Sequence, residues 1–193
     1  MTNSPHYWKK AKLYLSKKDK VMKYLIKKYD DTTLSTRKDV FYSLCKSIIG
    51  QQISVAAANS VFSKFNIACK KKITPRNVKK LGILKLKKCG LSKQKAIGIK
   101  ELSIRFLNKS FDPNLIFNMD DEEAIEYLST LRQIGRWSAE MILLFTFNRS
   151  NIWPIQDIGL LRAISNNYNK TYLPPINFVK KLKKKFNPYC SVA

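Results

Sequence analysis

The chain has 193 residues, of which 45% are hydrophobic, and its 37 Lys and Arg residues against 13 Asp and Glu residues give a net charge of +24. This excess favours a polyanionic partner, and nucleic acid explains it better than a lysine-rich genome composition, because acidic residues are also scarce. The sequence has no apolar run long enough to cross a membrane, and its start, MTNSPHYWKK, lacks the apolar core of a signal peptide. We therefore expect a soluble, cytoplasmic protein, associated with the nucleoid if the source is prokaryotic.

Apolar periodicity predicts helices from the first third of the chain onward, and almost no run alternates as a strand would. Asp39 is placed to cap a helix whose apolar face has helical spacing: Phe41, Leu44, Cys45, Ile48 and Ile49. Gly50-Gln51-Gln52 then interrupts the pattern. Ser54 can begin the next helix, which has its own apolar face: Ala58, Val61, Phe62 and Phe65.

The second half of the chain continues this pattern. Gly90 ends one segment, and Ser92 offers the next N-cap. Residues 120–123 form an acidic first turn that suits a helix dipole, and the side chains behind them are expected to be buried: Ala124, Ile125, Leu128 and Leu131. A final stripe, flanked by lysines, consists of Ile176, Val179, Leu182 and Phe186. The pattern indicates an all-α protein of many short helices, either one large domain or two interleaved lobes.

The side chains available for chemistry are few. Four widely spaced cysteines do not have the spacing of zinc or iron–sulfur ligands, and we expect them to be reduced, half-buried thiols: Cys45, Cys69, Cys89 and Cys190. His6 is the only histidine, which excludes a His-dependent metal site and disfavours a Ser-His-Asp relay. Any catalysis therefore rests on carboxylates.

One stretch, residues 131–164, combines a tight turn, an apolar helix and a lone carboxylate. The turn, residues 133–135, precedes a helix over residues 137–147 that is apolar on nearly every face, so we expect this helix to be central and buried. Exposed amides at the start of such a helix bind phosphate well. An ordinary connection between two helices explains the turn equally well.

The position of Asp157 favours a phosphate-binding turn over an ordinary connection between two helices. The apolar helix extends about 18 Å, and the loop over residues 149–156 can reach back up to roughly 26 Å when extended. The loop can thus return Asp157 to the level of the turn, as the N-cap of a helix that contains Ile158, Leu161 and Ile164. Capping alone would also explain an aspartate at this position.

These residues resemble the helix-hairpin-helix DNA base-excision glycosylases, and among them the 3-methyladenine DNA glycosylase II family. The matching pieces occur in order along nearly the whole chain: Tyr7-Trp8, residues 49–54 with Ala56-Ala57, residues 90–92 with Lys95-Ala96, residues 134–141, Pro154, residues 157–160, Pro188-Tyr189 and residues 191–193. The resemblance implies one two-lobed, all-α unit over residues 1–193 with the hairpin at about residues 121–148. It also implies a monofunctional enzyme that excises alkylated purines such as 3-methyladenine by N-glycosidic hydrolysis in base excision repair.

The resemblance assigns roles in catalysis and in the base pocket. Asp157 matches the catalytic aspartate, which stabilises the oxocarbenium-like sugar as the base leaves. Trp137 matches an aromatic residue of the pocket, where its ring attracts a cationic alkylated purine. Met141 lines the same pocket, and Tyr7 and Trp8 either add to its wall or are plain core packing.

The resemblance also assigns contacts to double-stranded DNA that carries alkylated bases, bound by a monomer. Gln52, Ile53 and Ser54 match the loop that wedges into the minor groove. The hairpin residues that match the phosphate-binding segment are Gln133, Gly135, Arg136 and Ser138, with backbone amides as the main donors. A Na⁺ or K⁺ ion is implied at the hairpin, held by the backbone carbonyls of Ser129, Leu131 and Ile134. No redox or organic cofactor is implied.

Three features depart from the family pattern. Gln133 replaces the first glycine of the hairpin, which weakens the turn if a positive φ is still needed. Met141 replaces an aromatic residue and makes the pocket softer, so the range of damaged bases is open. Relatives continue beyond the position of Ala193 with an aromatic-rich helix, so we expect a frayed or truncated final helix.

The resemblance separates this chain from the lyase branch of the same superfamily. That branch forms a Schiff base through a lysine just after the hairpin, where this chain has Trp137, and it commonly carries a four-cysteine cluster near the C-terminus that is lacking here. We therefore expect no strand cleavage. The alternative from another class is a non-catalytic helix-hairpin-helix module that only binds DNA, with Asp157 acting as a cap.

Overall fold

The computed structural model describes residues 4–34 and 39–193, and every regular element in these ranges is helical. The α-helices are α1 Trp8–Lys18, α2 Lys20–Lys28, α3 Val40–Gly50, α4 Val55–Ala68, α5 Pro75–Lys80, α6 Ile83–Lys88, α7 Lys93–Leu107, α8 Asp121–Ser129, α9 Arg136–Phe145, α10 Ile158–Asn167 and α11 Ile176–Phe186. Two 3₁₀ helices span Pro113–Asn118 and Cys190–Val192. The predicted all-α class is confirmed. No helix in the described ranges combines the length and apolar character needed to cross a membrane.

The chain divides into two compact units. The terminal unit comprises Met1–Arg37 with Leu143–Ala193, and the central unit comprises Lys38–Ile142. The boundary between them falls within α9. The terminal unit is therefore built from both ends of the chain.

The central unit is organised around α7, which contacts α3, α5 and α6, while α4 packs on α3. Ala96 and Ile99 of α7 have no exposed surface. Large side chains that are almost fully buried in this unit are Leu44, Ile48, Phe65, Leu86, Ile116 and Leu128. Burial of each such side chain contributes about 1.5–3 kcal/mol, so packing on α7 stabilises helices that are too short to be stable alone.

Side-chain caps begin the helices of the central unit where the sequence predicts them. Asp39 Oδ1 accepts from the backbone N–H of Tyr42 at 2.9 Å, and Ser54 Oγ accepts from Ala57 at 3.2 Å. Ser92 caps α7 in the same way. A capping box of Asp120 and Glu123 begins α8. Each cap satisfies an N–H group that the first helical turn leaves without a partner, which stabilises a helix by about 1 kcal/mol.

The terminal unit packs α1 against α2 and α11. Its core consists of Leu15, Met22, Trp153, Ile164, Val179, Leu182, Phe186 and Cys190. Asp19, 7% exposed, lies at the junction of α1 and α2 and accepts hydrogen bonds from the backbone N–H of Met22, the hydroxyl of Tyr168 at 2.9 Å and the ammonium of Lys185 at 2.5 Å. Burial opposes ionisation of Asp19, but these three donors outweigh it and lower the pKa of the carboxyl below its usual value.

The structure corrects the predicted extent and burial of α9. The helix ends at Phe145 and not at Phe147. Asn148 takes a left-handed conformation and the N–H of Arg149 donates to the Leu143 carbonyl, which closes the helix. The predicted burial on all faces is also wrong, since Trp137 is 40% exposed.

Three smaller expectations also change. Of the apolar face predicted for α4, only Phe65 is buried. In α11, Ile176 is 49% exposed, while the other three residues of the stripe are buried. The four cysteines are free thiols and are buried rather than half-buried.

Candidate nucleic-acid interface

The turn between α8 and α9 keeps a left-handed residue. Gln133 has a φ of +68°, and the N–H of Ile134 donates to the Leu131 carbonyl at 3.0 Å. A residue with a Cβ is less stable in this conformation than glycine, by roughly 1–2 kcal/mol. The tight turn predicted at residues 133–135 is therefore present with Gln133 in the left-handed region, and contacts around the turn must offset this strain.

The start of α9 opens onto free space. A Cβ at Gly135 would meet no atom within 4 Å. The turn borders an open cavity of about 510 Å³, lined by Glu101 and residues 129–135. Since the first N–H groups of a helix lack partners within it and carry partial positive charge, the start of α9 suits an anion such as a phosphate.

Gln51, for which the sequence predicted no role of its own, connects the turn to the end of α3. Its side-chain Nε2 donates to the Gln133 carbonyl at 2.6 Å and to Ser138 Oγ at 3.2 Å. Lys95 Nζ in turn donates to the carbonyls of Gln51 at 2.6 Å and Ile49 at 2.9 Å, and partial burial lowers the pKa of this lysine. No local pattern could reveal this bracing, because its residues are far apart in the chain.

The Arg136 guanidinium is bound to carboxylates of its own unit. It makes two hydrogen bonds to Glu122, at 2.7 and 2.8 Å, and its Nε lies 3.4 Å from Glu140. The hydrogen bonds to Glu122 are the main reason that the pKa of Arg136 is raised. A phosphate would have to compete with both carboxylates for this side chain, so the prediction of a DNA contact at Arg136 rests on its backbone N–H.

The loop after α3 presents apolar side chains to solvent. Gln52 is exposed with a φ of +55°, and Ile53 is 40% exposed. The Ser54 hydroxyl is used to cap α4. Val55, absent from the predicted contact set, is 79% exposed. Ile53 and Val55 together give this loop the apolar surface that a wedge between bases requires.

One face of α9 is apolar but incompletely buried. Trp137 and Met141 are four residues apart and so share this face, and Phe145 continues it one turn further on. All three retain exposed surface, whereas Ala139 and Leu143 have none. The face can therefore offer an aromatic ring and a polarisable thioether to a planar ligand.

Asp157 is the N-cap of α10, as predicted. Its Oδ1 accepts from the backbone N–H of Leu160 at 2.8 Å. A Cβ at Gly159 would lie 3.0 Å from the same oxygen, so glycine at this position leaves the carboxylate room. The carboxylate is half-buried, and a carboxylate has more acceptor sites than the one that the cap uses.

Tyr7 and Trp8 lie in the packing of the terminal unit. Tyr7 is 8% exposed, stacks on Tyr189 with ring centroids 6.3 Å apart, and its hydroxyl donates to the Arg149 carbonyl at 3.5 Å. Burial raises the pKa of Tyr7 to about 12. Trp8 lines a cavity of about 410 Å³, and Asp157 is not among the described residues that line it. These surroundings are those of core packing for Tyr7, whereas a base-pocket role for Trp8 stays a prediction.

The three residues whose carbonyls are predicted to hold a monovalent cation, Ser129, Leu131 and Ile134, all line the same cavity. Backbone carbonyl oxygens are the ligands that replace the hydration shell of alkali cations. The Leu131 carbonyl already accepts one hydrogen bond and keeps a second lone pair. Carbonyl oxygens are ligands of the kind that Na⁺ or K⁺ prefers, and a cation at this site stays a prediction. No group of three or more His, Cys, Asp and Glu side chains in the described ranges could hold a metal ion.

Comparison with known proteins finds relatives that match nearly the whole chain. The alkylbase DNA glycosidase-like protein mag2 of Schizosaccharomyces pombe is 30% identical over 96% of this chain and 90% of its own length. DNA-3-methyladenine glycosylase 1 of the same yeast is 25% identical over 95% and 83% of the two chains. The solved structure of the S. pombe 3-methyladenine DNA glycosylase Mag1, determined with abasic DNA, has a TM-score of 0.84, 24% identity and coverage of 95% and 92%.

The family match covers the hairpin, the loop after α3 and Asp157 together. Residues 45–188, most of the chain, match the HhH-GPD superfamily of base excision DNA repair proteins. The chain has a hairpin that Gln51 contacts at the start of α9 and an aspartate that caps α10. Its match over residues 45–188 shows that the chain belongs to the HhH-GPD superfamily.

Proposed function

We propose that the protein is a monofunctional DNA glycosylase of the 3-methyladenine DNA glycosylase II type, which hydrolyses the N-glycosidic bond of alkylated purines in base excision repair. The observation that carries the proposal is Asp157, a half-buried carboxylate held at the N-cap of α10 with space left by Gly159. The relatives named as alkylbase or 3-methyladenine glycosylases match nearly the whole chain.

The proposed reaction begins with a nucleotide that leaves the base stack, because the glycosidic carbon cannot be reached inside a duplex. An N-alkylated purine carries positive charge, and the exposed ring of Trp137 attracts it by cation–π interaction of about 0.5–2 kcal/mol. As the base departs, the negative charge of Asp157 stabilises the oxocarbenium-like sugar and orients the attacking water. The cation–π attraction favours cationic lesions over neutral bases.

Duplex DNA would be held by the central unit. The amides of Gln133, Gly135 and Ser138 would bind phosphate, supported by a Na⁺ or K⁺ ion at the hairpin carbonyls. The loop at Gln52 and Ile53 would fill the vacated stack. The net charge of +24 adds attraction that does not depend on sequence. In this proposal one monomer in the cytoplasm binds one lesion.

Strand cleavage is not part of the proposal. Trp137 occupies the position where the lyase branch carries its Schiff-base lysine, and an indole cannot attack the sugar. Lys95, the lysine beside the loop and hairpin, donates to two backbone carbonyls. The proposed product is therefore an intact strand with an abasic site.

The second candidate is a helix-hairpin-helix module that binds DNA without excising a base. One observation favours it, since the hydrogen bond from Leu160 gives Asp157 a structural role that needs no chemistry. Incubation with duplexes that contain 3-methyladenine, 7-methylguanine or a deaminated base separates the two candidates. Release of free base by the wild-type protein, and not by Asp157→Asn, supports the glycosylase, whereas binding without release supports the module.

A further inference from the structure

The end of α3 and the hairpin are joined by one side chain. Gln51 lies just after α3, beside the loop that carries Gln52 and Ile53. Its amide nitrogen donates to the Gln133 carbonyl at 2.6 Å and to Ser138 Oγ at 3.2 Å. One amide group therefore contacts both the left-handed residue of the turn and the first turn of α9.

Gln51 is itself held from the opposite side. Lys95 Nζ donates to the Gln51 carbonyl at 2.6 Å and to the Ile49 carbonyl at 2.9 Å. These carbonyls lie at the C-terminal end of α3, where a cation is favourable. Lys95 belongs to α7, which contacts α3, α5 and α6, so it links the Gln51 backbone to the helix on which the central unit packs.

The hairpin needs this support because of its own sequence. Gln133 adopts a φ of +68° although it is not glycine, so its backbone is less stable in this left-handed conformation than that of a glycine would be. A change of Gln133 from the left-handed to the right-handed or extended region alters both φ and ψ, which would turn its carbonyl away from Gln51 and break the shorter of the two hydrogen bonds. The bond from Gln51 therefore favours the observed turn over alternatives with negative φ.

We propose that Gln51 is a positioning residue that holds the phosphate-binding hairpin and the minor-groove loop in one fixed relation. Its side chain sets the turn, and its backbone begins the loop, so both DNA contacts depend on a residue that need not touch DNA. The expected effect on DNA binding rests on the proposed function, whereas the coupling between Gln51 and the hairpin does not.

The coupling is tested on the free protein by amide hydrogen exchange of Gln51→Met, which keeps the side-chain length but removes the donor. We expect the amides of residues 133–138 to exchange at least tenfold faster, with the amides of α11 unchanged. The matched control is Gln94→Met, because Gln94 accepts a hydrogen bond from Arg132 on the exposed side of the same hairpin, at 2.8 Å. Equal exchange in Gln51→Met and Gln94→Met would overturn the coupling, whatever the protein does to DNA.

A second readout uses a duplex with an abasic-site analogue and, for active protein, single-turnover base release. We expect Gln51→Met to weaken binding about tenfold while the release rate at saturating protein changes less than threefold, because Gln51 acts through the hairpin and not on the sugar. A fall in the saturated rate with unchanged affinity would contradict a positioning role. If wild-type protein releases no base, the proposed function fails but the binding comparison still tests Gln51.

Gln51→Glu serves as a second variant if Gln51→Met does not fold. A carboxylate of similar size can accept from Ser138 but cannot donate to the Gln133 carbonyl, so the same faster exchange of residues 133–138 is expected at neutral pH. Exchange equal to that of wild type in this variant would show that the bond to Gln133 does not hold the turn.

Discussion

Gly98 of α7 and Gln133 of the hairpin occupy adjoining space, such that a methyl group at Gly98 would lie 2.8 Å from Cγ of Gln133. Glycine inside a helix is normally less favourable than alanine by about 0.5–1 kcal/mol. Here the missing side chain lets the hairpin approach α7. The glutamine that replaces glycine in the turn is thus accommodated by a glycine in the neighbouring helix.

Gly98→Ala should therefore destabilise the protein by about 1–3 kcal/mol through overpacking, as measured by denaturant unfolding. In a Gln133→Gly background the obstructing side chain is absent, and the same substitution should be neutral or stabilising through helix propensity. Equal effects of Gly98→Ala in the two backgrounds would show that the contact with Gln133 does not limit the packing.

Asp157→Asn should abolish base release while duplex affinity stays within a few-fold of wild type. The amide oxygen can still cap α10, but the negative charge that stabilises the sugar cation is lost. Excision kinetics and a binding titration check this, with Asp157→Ala as the variant that also loses the cap, at about 1 kcal/mol of stability. Substantial excision by Asp157→Asn would remove Asp157 from the catalytic role.

Trp137→Ala should weaken capture of cationic bases, because the 40% exposed indole is the proposed cation–π surface, and should also lower unfolding stability by about 1–3 kcal/mol through loss of its covered surface. Loss of a cation–π contact of about 0.5–2 kcal/mol corresponds to a decrease of roughly 2- to 30-fold in kcat/KM for 3-methyladenine. Neutral lesions provide the internal comparison and should be affected less. An unchanged rate for 3-methyladenine would mean that Trp137 does not contact the base.

Asp19 should make the stability of the terminal unit dependent on pH in the acid range. Its pKa is lowered in the folded state, so its contribution is fully present above the unfolded value of about 3.9 and is lost as pH falls through the folded pKa. Asp19→Asn should cost about 1.5–3 kcal/mol at neutral pH, as for a hydrogen bond to a charged group. The difference between variant and wild type should shrink below about pH 4 in denaturant unfolding. A constant difference would contradict the role of the carboxylate charge.

Borohydride added during turnover should trap no covalent complex, because the proposed reaction uses a water activated beside Asp157 and no Schiff-base lysine. The strand should break only after heat or alkali acts on the abasic product. A known lyase assayed in parallel controls for the reagent. A trapped adduct, or cleavage without alkali, would place this protein with the lyases and make one of its lysines the nucleophile.

Local patterns were sufficient for much of this protein. The caps at Asp39, Ser54, Ser92 and Asp157 follow from a hydrogen-bonding side chain placed just before an apolar period, and the all-α class follows from that period alone. The family and the position of the hairpin could be read from ordered motifs. These features depend on interactions between residues a few positions apart, which the order of the residues specifies directly.

Only the tertiary structure decided how the hairpin is held and which faces are covered. Gln51 and Gln133 meet because α3 and the hairpin fold together, and Gly98 matters because the hairpin packs on α7. Burial of Tyr7 and exposure of Trp137 likewise depend on neighbouring helices, since an aromatic residue suits either environment by its own chemistry. Contacts between distant parts of a chain are set by packing and by mutual satisfaction of polar groups, and no local pattern of residue types contains them.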